Sequence, residues 1–300
     1  MVIIILKRRE RFVCDKTTIQ FPSKMYQVLD KDTIRIEILP HLSVSKRGFQ
    51  TRSCLIEVIN SILYKLKTGC QWHMLPVKSL FSEVVLSYKT VFGHFRKWCK
   101  NAEWEYCWTK ILEKYKSFLD LSSADLDGSH VTALRGGEEV AYQGRKKRKT
   151  TNSLYLSDRQ GLPLALSSPV AGNHNDLFAI EKSSEELFST LTEAKISADG
   201  LFLNADSAFD SKEFRSICNK WGVISNVAFN YRNGETKDKY LLDDLLYKQR
   251  YAIERTNAWM DSFRSLLNRF DVTVSSWKSF NYIAFVIILF KKIKNNKKSR

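Results

Sequence analysis

Asp127, Asp206 and Glu254 stand in three settings that suit a working carboxylate. Asp127 opens Asp127-Gly128-Ser129-His130 at the end of a short apolar/acidic alternation. Asp206 follows the apolar run Leu201-Phe-Leu-Asn-Ala205, and Glu254 lies on the polar side of a helical pattern. Three carboxylates brought together repel one another unless a divalent cation neutralises them. Carboxylate oxygens suit Mg2+ or Mn2+, and Mg2+ takes one or two protein carboxylates with water and substrate phosphate. Two such ions about 3.5–4 Å apart activate an attacking oxygen and stabilise a leaving one in phosphoryl transfer. A negative site that accepts a polyanion also needs basic flanks. Two short runs offer them: Arg145-Lys146-Lys147-Arg148-Lys149, and the tail 291–300 with six Lys and Arg and no acid.

The elements that must hold these groups alternate along the back half. Residues 124–131 read as a strand. The segments 153–157 and 162–170 read as a hairpin around the turn Asp158-Arg-Gln-Gly161. A helical pattern covers 176–187 with Asn175 as its cap. The strand 201–205 delivers Asp206 at its carboxyl end, and a helix over 212–221 and a strand over 222–227 follow. Residues 241–270 read as one long helix with an acidic first turn, Asp243-Asp244. Three strands followed by alternation predict a mixed sheet covered by helices, an α/β fold, with functional groups gathered at the carboxyl ends of its strands. On the long helix, Ile253, Thr256, Met260, Phe263, Leu267 and Phe270 step by three and four as a buried stripe. Tyr247, Arg250, Glu254, Asn257 and Asp261 make a second, polar face. The bland alternative for that face is solvated pairing such as Arg250 with Glu254, worth ~0.2–0.5 kcal/mol.

The front half reads as helices over 52–67, 88–98 and 103–119. Two short helices joined by a turn, the second carrying Lys89, Arg96 and Lys97, look like a helix-turn-helix reader; an ordinary bundle with aromatic core residues is the alternative. Charge favours the first. The 300 residues carry 48 Lys+Arg against 32 Asp+Glu, a net +16, and residues 1–118 alone hold 21 basic and 10 acidic residues. Outside the two basic runs the back half is acid-leaning, so positive charge surrounds a negative remainder. The composition, 44% hydrophobic and 12% aromatic, excludes disorder as the chain's main character. The apolar stretch 282–290 is far short of the ~20 residues that cross a bilayer. At the start, Lys7, Arg8 and Arg9 follow the apolar segment rather than precede it, the reverse of a secretory signal, so a cytoplasmic protein without a membrane partner is expected. Six cysteines without CxxC or zinc-finger spacing suggest reduced thiols.

With these residues in view, the chain resembles the bacterial insertion-sequence transposases of the DDE superfamily, in the group named after insertion sequence five. The resemblance rests on Leu66-Lys-Thr-Gly-Cys-Gln-Trp72, Phe92 to Trp98, Asp127-Gly-Ser-His130, Gly172-Asn-His-Asn-Asp176, Leu203-Asn-Ala-Asp206 and Tyr247 to Trp259. The last holds the family's Tyr-x2-Arg-x3-Glu pattern as Tyr247, Arg250 and Glu254. Together these pieces cover roughly residues 26–292 in order. The resemblance implies a ribonuclease H-like mixed sheet flanked by helices (119–290), behind an all-helical DNA-binding domain (26–118), with an extension at 1–25 and a basic tail at 291–300. It implies Asp127, Asp206 and Glu254 as catalytic metal ligands, with two Mg2+ or Mn2+ ions. Two positions depart from the pattern: Asp261 stands where a basic residue is usual, leaving Arg264 as a substitute phosphate contact, and Ala208 stands where a Gly usually precedes the aromatic.

The implied reaction is transposition: binding of the element's terminal inverted repeats, cleavage of a strand to expose a 3′-hydroxyl, and attack of that hydroxyl on a target phosphodiester. Positioning and charge stabilisation carry such chemistry without a covalent protein intermediate. Arg250 is assigned to a phosphate or to orienting Glu254. His130 stays open between substrate contact and a structural hydrogen bond, as does His174. Double-stranded DNA is the partner, and joining two ends in one complex implies a homodimer acting at the bacterial nucleoid. Two other classes remain: a metal-dependent nuclease of the same core without strand transfer, and a DNA-binding protein without catalysis.

Overall fold

A computed structural model describes residues 27–44, 54–233 and 240–298; the expected extension 1–25 lies outside them. The front half builds α1 (Leu55–Thr68), α2 (Tyr88–Lys100) and α3 (Glu103–Tyr115). Helix α1 stops because Gly69 takes a left-handed φ of 69° and returns its N–H to the Lys65 carbonyl. The helix-turn-helix expectation is corrected in one respect. The link from α1 to α2 holds two short helical turns, Trp72–Met74 and Val77–Leu80, and the tight turn joins α2 to α3 instead, through Ala102 at φ 53°. Lys89 and Arg96 face solvent, Lys97 is half-buried, and Val91, Phe95, Trp98 and Cys99 point inward.

The back half is the mixed sheet that the alternation predicts. Its strands are β1 (Ala124–Ala133), β2 (Ala141–Gln143), β3 (Arg148–Asp158), β4 (Pro163–Leu166), β5 (Val170–Ala171), then, after helix α4 (Ile180–Glu193), β6 (Phe202–Ala205). Helix α5 (Lys212–Lys220) leads to β7 (Ile224–Val227). The main path runs β2-β3-β1-β6-β7. Strand β1 is the pivot: antiparallel to β3 along 124–132, and parallel to β6 through Ala124–Leu203, Asp125–Asn204 and Leu126–Ala205. The basic run is the turn of a β2–β3 hairpin that sequence patterning misses, because β2 is three residues long. Helix α4 begins at Ile180 behind Ala179, not at an Asn175 cap, and runs on to Glu193.

The single long helix expected over 241–270 is broken. It consists of α6 (Asp244–Tyr247), a 3-10 turn Lys248–Arg250, α7 (Tyr251–Asp261), α8 (Arg264–Leu267) and a short strand β8 (Asn268–Arg269) beside β1. The break at 262–263 comes from tertiary contact. Lys67 Nζ donates to the Ser262 carbonyl (3.0 Å) and to Ser262 Oγ (3.1 Å), and a side chain at Gly69 would strike Arg264 Cβ at 2.7 Å. Ile253, Thr256, Met260 and Phe263 are buried as predicted, but beyond the break Leu267 and Phe270 are exposed. Nor is this the last helix: α9 (Val274–Lys298) follows, with Tyr282 to Leu289 buried without interruption. It ties the halves together. Phe280 stacks on Phe95 at 4.4 Å, Trp108 meets Phe285 at 5.4 Å, and Trp108 Nε1 donates to the Leu164 carbonyl at 2.9 Å. One continuous apolar core therefore underlies the front helices and the sheet. Among the described residues no helix is long and apolar enough to cross a membrane.

Candidate active site

Strand register brings the first two carboxylates together. Leu126 and Ala205 are the last paired residues of parallel β1 and β6, so Asp127 and Asp206 come next on neighbouring strands, which run about 4.8 Å apart. Burial pushes the Asp127 carboxyl up to about 6; the Arg250 charge acts against that rise, while Asp206 and, more weakly, Asp176 add to it. Asp206 is oriented by its own backbone: it caps the turn Ser207–Phe209, with Oδ1 accepting from the Ala208 N–H at 2.9 Å.

The third side comes from α7. Asn257 Nδ2 donates to Asp127 Oδ2 at 3.2 Å. Glu254, one helical turn earlier, is exposed, and Arg250, a turn earlier again, lies with its guanidinium 5.9 Å from the Tyr247 ring. Of the polar stripe, Asn257 bonds Asp127 and Arg250 lies beside Tyr247. Glu254 shares their face, but among the described residues no three His, Cys, Asp or Glu side chains gather closely enough to hold a metal ion. The donor chemistry fits a divalent cation at the Asp127–Asp206 pair, where the Asp206 charge adds to the rise of the Asp127 carboxyl and a cation would relieve it.

His130 lies three residues beyond Asp127 and so on the opposite face of β1. Its Nδ1 is 3.5 Å from Thr150 Oγ1 and its Nε2 is 3.9 Å from Asp176 Oδ1, while burial lowers its pKa. Asp176, which residue typing passed over, also accepts from Asn152 Nδ2 at 2.7 Å and sits so close over Gly128 that a Cβ there would meet its Oδ1 at 2.1 Å. The Gly before Ser129 and the Asp closing Gly172-Asn-His-Asn-Asp176 were the available signals. His174 stacks on Phe178 at 3.5 Å.

Arg145, Lys146 and Lys147 are exposed on the hairpin turn, and Arg148 and Lys149 are exposed at the start of β3. Lys146 folds back, with Nζ donating to the His130 carbonyl at 2.9 Å. Its charge also acts on Asp261, the acid at the usually basic position, lowering a pKa that burial raises. Arg264 is exposed where α8 abuts Gly69. At the far end of α9, Lys292 Nζ lies 5.9 Å from the Trp259 ring, so the basic tail starts beside α7.

Residues 36–108 match the family model described as "Putative transposase of IS4/5 family", and residues 126–291 match the one described as "DDE superfamily endonuclease". Among solved structures the chain is similar to a Mos1 transposase paired-end complex with left transposon end (14% identity, 81% of this chain and 80% of that one, TM-score 0.28). It is likewise similar to a pre-cleavage Mos1 transpososome (13% identity, 82% and 80%, TM-score 0.27) and to the Mos1 strand transfer complex (14% identity, 80% and 78%, TM-score 0.28). No curated relative matches in sequence.

Proposed function

Because the chain belongs to the DDE superfamily of endonucleases, as a transposase of the IS4/5 type, we propose that it binds the terminal inverted repeats of its insertion sequence, cuts a strand there and joins the freed 3′-hydroxyl to a target. Divalent-metal dependence comes with the family; the finer reading is two ions, Mg2+ or Mn2+, held by Asp127 and Asp206 and completed by Glu254. When bound, they supply charge neutralisation and Lewis acidity at the scissile phosphate.

The chain's own residues set the geometry. Asp206 presents one oxygen to the site because the other is fixed by the Ala208 N–H. Asn257 holds Asp127 by one carboxylate oxygen and leaves the second toward Asp206. Arg250 supplies the positive charge nearest Asp127 and takes a DNA phosphate once that carboxylate is neutralised. Tyr247 backs its guanidinium. Arg145, Lys146, Lys147, Arg148 and Lys149 on the hairpin, Lys89, Arg96 and Lys97 on α2, and Arg264 beside the site contact the duplex backbone, where each neutralised phosphate steepens the salt dependence of binding. His130 acts from the far face of β1 as a support. Two ends processed together call for a homodimer, and the substrate places the work at the nucleoid in the cytoplasm.

The observation that carries this reading is the β1–β6 register, which sets Asp127 beside Asp206 under the α7 stripe. The test incubates the purified chain with DNA bearing the element's ends and Mg2+ or Mn2+. Nicked 3′-hydroxyl ends and joined products from pre-cleaved ends are expected. Cleavage without joining would make the protein a nuclease; binding without either would make it a DNA-binding protein.

A further inference from the structure

One step down the same strands from Asp127 and Asp206 lies a second polar row. Parallel register pairs Asp125 with Asn204 and Asn204 with Asn226, and residues two apart share a face. Strands buried on both faces normally run apolar, yet Asp125 on β1, Asn204 on β6 and Asn226 on the edge strand β7 are all buried. They form a hydrogen-bonded chain across three strands. Asn226 Nδ2 donates to Asn204 Oδ1 at 2.8 Å, and Asn204 Nδ2 donates to Asp125 Oδ1 at 2.8 Å.

Both asparagines also reach the segment that leads into α7. Asn226 Nδ2 donates to the Asp243 carbonyl (3.1 Å), the Asp243 N–H donates back to Asn226 Oδ1 (2.8 Å), and Asn204 Nδ2 donates to the Leu246 carbonyl (3.3 Å). Apolar packing contributes little to holding that segment: Leu241 is 94% and Leu245 is 74% exposed, and α6 is a single turn. At the other end of the row, Asp125 Oδ2 is buried with no hydrogen-bond partner.

We propose that Asn204 and Asn226 are positioning residues: they register the segment Asp243–Arg250 against the sheet, and Asp125 anchors the row by accepting from Asn204. None of the three touches the reacting atoms. They act through Arg250 and, one turn further, through Glu254, which has to approach the Asp127–Asp206 pair for cleavage. The inference rests on the transposase reading for its consequence, though the docking of the segment stands independently of it.

The test separates docking from catalysis. In Asn226→Ala, without DNA or metal, backbone amides of 243–250 should exchange hydrogen faster while those of β3 keep wild-type protection. Cleavage of bound ends should fall ~10–100-fold with unchanged affinity for the DNA. Asn204→Ala, which removes the bonds to the Leu246 carbonyl and to Asp125, should raise exchange at 243–250 in the same way, with kcat lowered and KM unmoved. Combining Asn204→Ala with Asn226→Ala should cost little more than either alone, because bonded groups that hold one segment are not additive. Unchanged exchange in Asn226→Ala overturns the docking role, and fully multiplying effects in the double variant overturn the shared action of the two asparagines. Should Asn226→Ala unfold, Asn226→Ser carries the same measurement. A wild type that never cleaves defeats the transposase reading while the exchange data still judge the row.

Discussion

The strands that carry Asp127 and Asp206 and the helical pieces that carry Arg250, Glu254 and Asn257 approach the same point with different support. Strand β1 is hydrogen-bonded on both flanks, to β3 over nine residue pairs and to β6 over three, and Asp206 is pinned by the turn it caps. The opposing side is a chain of short helices with breaks at 248–250 and 262–263; α7 is docked by its buried stripe and by Asn257 on Asp127, while 241–250 is held mainly by the asparagine row. Register is all-or-none, since a slip by one residue turns every side chain to the other face. The segment 241–250, with Leu241 and Leu245 exposed, belongs to the low-stability end of the structure, where local opening occurs. A rigid floor with an adjustable roof suits an enzyme that has to take duplex DNA into the site before closing on it.

The largest effect should come from the floor. Asp206→Asn keeps the cap to Ala208 through its remaining carbonyl oxygen but removes the charge, so cleavage should fall by more than ~10²-fold while DNA affinity stays within about threefold. Binding measured by gel shift beside product formation checks this. If Asp206→Asn weakened binding as strongly as cleavage, the strand side would be holding DNA rather than processing it.

Next in size is the coupling between the front bundle and the roof. Phe280 is fully buried between Phe95 and Trp72, so Phe280→Ala should cost ~3–5 kcal/mol of stability. Because one core spans both halves, thermal unfolding should remain a single transition at lower temperature. Two separate transitions would show instead that the 26–118 unit melts by itself. The roof contact Asn257→Ala should be milder: ~10–100-fold in activity with stability close to wild type, checked by steady-state cleavage and a thermal melt. A loss as deep as that of Asp206→Asn would mean that floor and roof are equally rigid.

The same contrast explains what could be read in advance. Asp206 was legible because an apolar strand pattern ends at it, and Asp127 because it stands in an apolar/acidic alternation, although β1 runs on past it to Ala133. The stripe Tyr247, Arg250, Asn257 was legible because three-and-four spacing survives the turn at 248–250. The break at 262–263 was not, since the pattern runs on through Ser262 and the interruption is made by Lys67 and Gly69, nearly 200 residues away. Helix α9 left no period to find, being buried all round from Tyr282 to Leu289. Asp125, Asn204 and Asn226 become a row only once register is known, so no local pattern announces them. Lys146 beside Asp261 is likewise a meeting of distant segments.

The smallest effect tests the floor from its far end. Asp158 closes β3 and is fully buried, with Oδ1 accepting from the Gln160 and Leu162 N–H groups and Oδ2 from the Asp120 N–H. Burial pushes its carboxyl up to about 6 from 3.8 despite those three donors. The folded protein therefore binds a proton that the unfolded chain has released over the window from about 4 to about 6. A group with more protons bound in the folded state makes stability fall as pH rises. Its contribution is complete below 3.8 and lost once pH passes about 6. Asp158→Asn does not titrate, so the wild-type-minus-variant difference in Tm should shrink between pH 4 and 7 by on the order of a few °C and stay level above. Subtracting the variant removes the opposing acid-labile pairs elsewhere, such as Glu113 between Lys110 and Lys195, whose carboxyl is held at about 2. A flat difference curve would mean that the three N–H donors keep Asp158 ionised throughout, and that the floor is anchored at this end by a charge rather than by a shared proton.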